Sequence, residues 1–226
     1  MKILVIAPHA DDETLGMGGT IAKFASEGNE VNVAIVTGHG EEMHPIWPKS
    51  IWEEIRQESK KALEILNVSD VIYRELPASC LDVLPNWKIN EVIFELIREQ
   101  KPNQIFVPFK HDLHKDHASI SYAVDVACRP YLETSKDIKR ILAYETLSET
   151  HLEQPYMNQS FQPNVFINIS QFIESKVSAL MAYQSQIQKA NMPRSVETIK
   201  ALAKLRGSTI GCNYAEAFYL IGEYQR

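Results

Sequence analysis

Two short polar segments carry the side-chain types from which hydrolytic chemistry is built. PHADDE (Pro8–Glu13) sets one histidine beside three consecutive carboxylates. FKHDLHKDH (Phe109–His117) holds three histidines and two aspartates. Carboxylates packed that tightly repel one another unless something cationic sits among them. His9 and Asp12 are three apart on a turn, so an imidazole nitrogen and a carboxylate oxygen reach one ion. His117 can supply a third ligand from the second segment. Two histidines and one carboxylate are a common catalytic zinc set that leaves positions open for water and substrate. Asp11, beside a ligand but directed elsewhere, is then free to act as general base towards a water acidified by the cation. His114, one helical turn before His117, offers a second titrating group, with Asp116 placed to fix its tautomer. Each segment also has a plain structural reading. Asp-Asp-Glu at a helix start caps the helix and complements its dipole, and HKDH can simply open a solvated helix. Their joint occurrence, each directly after an apolar strand, favours a metal site. Glu13 stays open between a helix-dipole charge and a support behind the ligands.

The elements that must position these groups follow from hydrophobic periodicity. MKILVIAP reads as a buried strand and EVNVAIVTG (Glu30–Gly38) as a second, with a helix from about Thr14 to Ser26 between them. That is a βαβ unit, so a parallel sheet with a right-handed crossover is expected. SIWEEIRQESKKALEILNV has the pattern of a helix with one wet face. Strand VIYREL, helix WKINEVIFELIREQ and strand QIFVPF come next, then a helix through SISYAVDVAC and a strand at RILAYET. In the last third FQPNVFINIS reads as a strand and QFIESKVSALMAYQSQIQ as a helix. A second helix and a closing AEAFYLI strand complete the chain. The alternation predicts one domain over residues 1–226: a doubly wound, mostly parallel, Rossmann-like α/β sheet with a C-terminal α/β elaboration. Functional groups in such sheets collect at the carboxyl ends of the strands, where both histidine-rich segments fall.

Composition excludes several classes. The net charge is −6, which argues against a nucleic-acid backbone as partner. The three cysteines (Cys80, Cys128, Cys212) form no C-x-x-C pair and read as reduced thiols of a cytosolic protein. The N-terminal apolar run is too short for a signal sequence, and no stretch approaches the roughly 20 apolar residues of a membrane span. A cytoplasmic location is expected. LGMGGTIA (Leu15–Ala22) suggests a nucleotide-binding module, but G-x-G-x-x-G needs a glycine where Ile21 stands, and the carboxylates would repel a pyrophosphate. A metal-dependent phosphoesterase is the other alternative, although such sites want two metals and more ligands than these segments place. His39, Glu41, Glu42 and His44 line the pocket or form a solvated loop. Trp47 and Trp52 stack on a sugar or belong to the core. His111 and His151 have no assigned role.

PHADDE near the N-terminus and HKDH after the fourth strand resemble the paired motifs (A/P)-H-x-D-D-E and H-x-D-H of the LmbE-like, or PIG-L-type, N-acetylglucosaminyl deacetylases. Softer likenesses extend over nearly the whole chain: IRQESKKALEILNV with its leading Arg56, YETLSET, and AYQSQ. The resemblance implies a zinc hydrolase that removes the N-acetyl group from an N-acetylglucosamine conjugate, giving acetate and a free amine. It maps the metal ligands to His9, Asp12 and His117, and the base to Asp11. The transition-state partner maps to His114, protonated at working pH with Asp116 behind it, and a substrate contact to Arg56. Zinc over Fe2+ or another divalent ion, and a hexameric homo-oligomer, are likewise implied by the resemblance alone. The chain departs from the pattern at Ala10, where many members have proline. It also has Asp112 where some members place a tyrosine two residues before the second motif.

Overall fold

The computed structural model describes residues 1–40, 44–154, 156 and 159–225, so Glu41 and Glu42 lie outside the described residues. Seven strands form one sheet in the order β3-β2-β1-β4-β5-β7-β6. Strand β1 (Lys2–Ala7) lies at its centre, between β2 (Glu30–Gly38) and β4 (Gln104–Pro108), parallel to both. Every residue of β1 after Lys2 is buried, as expected of a parallel strand covered on both faces. Ile3, Val5 and Ala7 face one layer with α1 (Asp12–Ser26), α2 (Lys49–Ile65) and α5 (Ile173–Ala182). Leu4 and Ile6 face the other, with α3 (Asn86–Gln100) and α4 (Lys115–Ala127). This is the strand period of two read out in space.

Topology puts the two polar segments together. The chain leaves β1 through α1 to β2, continues to β3 (Asp70–Pro77) on the same side, and returns through α3 to β4 on the opposite side of β1. The strand order reverses between β1 and β4, which opens a crevice at their carboxyl ends. PHADDE leaves one of those ends and the FKHDLHKDH segment the other.

The C-terminal third departs from the parallel pattern. Strand β7 (Ala215–Glu223) runs antiparallel to β5 (Arg140–Tyr144) and to the edge strand β6 (Val165–Asn168). Strand β6 is shorter than its sequence run suggested, and Pro163 has no N–H with which to extend the ladder. Helix α5 also stops early, at Ala182, and Ser185–Ser195 form a strap of turns before α6 (Val196–Thr209).

The glycines of LGMGGTIA lie inside α1, not in the strand–helix turn, and they serve packing. A Cβ at Gly19 would stand 2.6 Å from Ile169 Cδ1, and one at Gly16 would stand 3.1 Å from the Glu145 carbonyl. Met17 leaves helical geometry (φ −149°, ψ 24°), so the ladder breaks beside these glycines. The freed N–H groups of Gly19 and Thr20 donate to the Glu216 carboxylate at 3.0 and 2.6 Å. Lys176 Nζ takes the Leu15 carbonyl at 2.8 Å and pairs with Glu216 at 2.5 Å, with both side chains about 95% buried. Replacing Lys176 with methionine strands a buried carboxylate. Unfolding by urea is expected to show a loss of about 3–5 kcal/mol.

Candidate active site

Asp11 occupies the N-cap of α1 with φ 130° and ψ −24°, a left-handed conformation that glycine favours and aspartate adopts at a cost. Glu13 holds it there. Its N–H donates to Glu13 Oε2 at 3.1 Å, while Glu13 Oε1 accepts from Tyr183 and Thr14 at 2.7 Å each. Glu13 therefore supports the turn, and burial raises its pKa despite the Tyr183 and Thr14 hydroxyls. Asp12 begins the helix, and its Oδ2 accepts the His9 N–H at 2.9 Å.

Three donor atoms converge on one point. Asp12 Oδ2 lies 3.2 Å from His9 Nδ1 and 3.2 Å from His117 Nε2. The opposite nitrogen of each ring is engaged by a carboxylate: His9 Nε2 by Asp116 Oδ2 at 2.9 Å, and His117 Nδ1 by Asp112 Oδ2 at 2.8 Å. Those outer bonds take the ring protons, so Nδ1 of His9 and Nε2 of His117 turn lone pairs towards Asp12. His117 Nε2 is buried and faces only Asp12 among the described residues. Lone pairs facing one another at 3.2 Å need a proton or a cation between them. In the cation-free protein protons fill that place. Burial opposes charge on both rings, but Asp116 and Asp12 lift His9 to about 9, and Asp12 and Asp112 lift His117 to about 10. Asp12 moves the opposite way: burial works against its ionised form, but the charge of His117 and bonds from both rings hold it well below its ordinary value. Nitrogen and oxygen donors in this geometry fit a divalent cation, and the three candidate ligand atoms lie within 4.8 Å of one another.

Asp112 is a support that sequence reasoning passed over. Its only trace there is a carboxylate five residues before His117. Because it orients a proposed ligand, Asp112→Ala is expected to weaken cation affinity by about 10–100-fold, measured by competition with a chelating dye.

The second segment differs from expectation in two respects, the partner of Asp116 and the charge of His114. The Asp116 carboxylate does not stand behind His114. It accepts from His9, from Ser79 N–H at 2.6 Å and from Leu81 N–H at 3.1 Å, tying the loop after β3 to the site. His114 is instead the N-cap of α4, its Nδ1 accepting the Asp116 N–H at 3.2 Å. That bond assigns the proton to Nε2, which points to the Ser79 hydroxyl at 3.4 Å. Burial and the neighbouring charge of His9 push its pKa down to about 4. His114 is a neutral N–H donor.

Asp11 stands beside the cluster, not within it. Burial, reinforced by Asp12 and Glu13 and opposed by Arg194, raises its carboxyl to about 7. Arg194, to which no sequence motif pointed, places Nη1 at 3.2 Å from Asp11 Oδ2. Arg56 lies at the rim, ion-paired with Glu75 and 4.8 Å above the Tyr73 ring, beside a small cleft shared with Ala10. His44 is buried against Trp47 and Trp52 and bonds the Ala78 carbonyl at 2.8 Å, so these aromatics are packed together. His151 pairs with Glu145 at 2.8 Å, and the His111 ring lies 5.4 Å from that of Phe109.

Comparison with known proteins places the chain in a family. The chain is 24% identical to a diacetylchitobiose deacetylase of Thermococcus kodakarensis over 97% of its own length and 83% of that protein. A conserved protein of Thermus thermophilus superposes with a TM-score of 0.77 at 28% identity, covering 100% of this chain and 97% of that one. A 4-carboxy-2-hydroxymuconate hydratase of Pseudomonas putida shares the fold at a TM-score of 0.73 and 19% identity, over 100% of this chain and 98% of that one. The fold alone therefore does not select a reaction, and assignment falls to the family pattern. Residues 4–128, which hold both histidine-bearing segments, match the family described as GlcNAc-PI de-N-acetylase, so the chain belongs to the PIG-L deacetylase family.

Proposed function

We propose that this deacetylase-family enzyme uses a divalent cation, held by His9, Asp12 and His117, to hydrolyse the acetamide of an N-acetylglucosamine-type conjugate. The observation that carries this reading is the convergence of two imidazole nitrogens, each braced from behind by a carboxylate, with the Asp12 carboxylate on one buried point. When bound, the cation would polarise the acetamide carbonyl and acidify a neighbouring water. Zinc fits the ligand set, with Fe2+ as the alternative.

The chain's own groups supply the rest. Asp11, with a carboxyl near neutrality, takes the proton of the attacking water and can return it to the departing amine. His114 Nε2–H donates to the oxyanion that develops on the carbonyl oxygen, in the manner of a neutral imidazole held at a helix start. Arg56 offers a guanidinium to the substrate at the rim. Two metals, as a phosphoesterase requires, fit poorly. The second histidine–carboxylate group (His9, His114, Asp116) reuses His9, and its other ring presents a proton. By resemblance the protein is a cytoplasmic homo-oligomer acting on a small amino-sugar conjugate. The test is a panel of N-acetylglucosamine conjugates with malate, inositol, lipid and sugar partners, presented to zinc-loaded protein and assayed for acetate and free amine. Acetate release from at least one, abolished by chelation and restored by zinc, is expected. No release from any member, or full activity after exhaustive chelation, sinks the reading.

A further inference from the structure

The strap between α5 and α6 brings one cationic side chain into the site. Arg194 is its penultimate residue, followed by Ser195, whose hydroxyl caps α6 by accepting the Thr198 N–H at 3.2 Å. The strap closes on itself around it. Arg194 N–H donates to Gln188 Oε1 at 3.1 Å, and the Arg194 carbonyl accepts from Gln188 N–H at 3.3 Å. Two further contacts aim the guanidinium: Nη1 to Gln186 Oε1 at 3.0 Å and Nε to Ser148 Oγ at 3.4 Å. Nη1 then meets Asp11 Oδ2 at 3.2 Å, and Nη2 lies 4.0 Å from Glu149.

The geometry of the Asp11 contact is informative. Asp11 Oδ2 is buried and accepts no directed hydrogen bond among the described residues. Arg194 therefore attracts the carboxylate by charge without occupying the lone pair that must receive a proton. Asp116, by contrast, accepts three directed hydrogen bonds, from His9 and two backbone N–H groups. The Glu13 contact fixes the backbone of Asp11 and makes no bond to its carboxylate, which the adjacent Asp12 and Glu13 charges repel.

We infer that Arg194 is the positioning residue of the general base, holding the Asp11 carboxylate towards the reacting water; this rests on the reading of Asp11 as that base. The guanidinium already faces two carboxylates, Asp11 and Glu149, so it is not a free cation awaiting an anionic substrate group.

The test uses the full chain loaded with zinc and an N-acetylglucosamine conjugate that the wild type hydrolyses. Arg194→Met and Arg194→Ala are expected to lower kcat by about 10–100-fold, with KM within about twofold and about one cation retained per chain. Guanidinium added at non-denaturing concentration is expected to restore part of kcat in Arg194→Ala and none in Asp11→Asn. A merely structural residue would show no such rescue. Arg194→Lys, which keeps the charge and the backbone clamp, is expected to lose less, and it carries the test should the shorter variants not fold. Wild-type kcat in Arg194→Met, while Asp11→Asn is inert, overturns the role of Arg194 alone. A raised KM with unchanged kcat overturns it too, by making Arg194 a substrate contact. Full turnover in Asp11→Asn instead removes the base itself.

Discussion

His117→Ala protein is expected to leave purification with its site empty and with no measurable acetate release. His117 is fully buried, its ring braced by Asp112, and its free nitrogen is one of three atoms aimed at the same point. Alanine removes that ligand and leaves Asp112 without its partner. Metal analysis and isothermal titration would show the loss directly, and a variant still holding about one cation per chain would refute the ligand assignment. The same ligands give a signed pH dependence. Without a cation the folded protein keeps protons on His9 up to about 9 and on His117 up to about 10. Both values lie above the ordinary histidine value of 6.5, so those protons stabilise the cation-free fold most fully below pH 6.5. That contribution fades as pH rises through the folded values. A cation must displace both protons, so its apparent affinity is expected to climb with pH, by up to about 100-fold per unit, between 6.5 and 9. A flat titration across that window would contradict the protonated cluster.

Asp11→Asn is expected to part turnover from cation binding. The substitution keeps the shape of the side chain and removes the proton acceptor, so kcat should fall by about 10²–10⁴-fold. Cation content should stay near one per chain, since Asp11 is absent from the group whose atoms converge. In the wild type, Asp11 must be ionised to accept a proton, so activity falls as pH drops through its pKa. Burial, with Asp12 and Glu13, sets that value at about 7 in the cation-free protein. A neighbouring dication lowers it from there, which puts the acid limb at or below about 7. The limb should vanish in Asp11→Asn. An empty site in that variant would exchange the roles of Asp11 and Asp12.

The parallel half of the fold was legible because its strands are uniformly apolar and its helices have one wet face. Strand β1 and helices α2 and α3 lie close to where periodicity placed them. The errors fall where long-range contacts decide. Helix α5 ends at Ala182 because the strap turns back to reach the site, and strand β6 is short because only Val165–Asn168 meet β7. Within the site, local spacing brought His9, Asp12 and His117 together, since topology and a three-residue turn suffice for that. The partners behind them were not readable. Asp116 sits between two histidines in sequence, and only the crossing of the two loops assigns its carboxylate to His9. His114 likewise looked like an acid beside a carboxylate, until its place at the N-cap of α4 made its ring an acceptor of the Asp116 N–H. Arg194 is far from Asp11 in sequence and belongs to no motif, so only the folded chain reveals the contact.

The left-handed backbone at Asp11 has a consequence for anyone selecting hardier forms of this protein. A side chain there carries conformational strain, and its carboxyl, raised to about 7, makes ionisation unfavourable to the fold above the ordinary range near 4. Asp11→Gly relieves both, and in cation-free protein it is expected to melt at a higher temperature than the wild type while hydrolysing nothing. Rankings by heat resistance and by turnover should therefore run in opposite directions at this position. A library sorted only for thermal survival would drift towards an inert protein through this one codon, so selection for robustness has to hold residue 11 fixed.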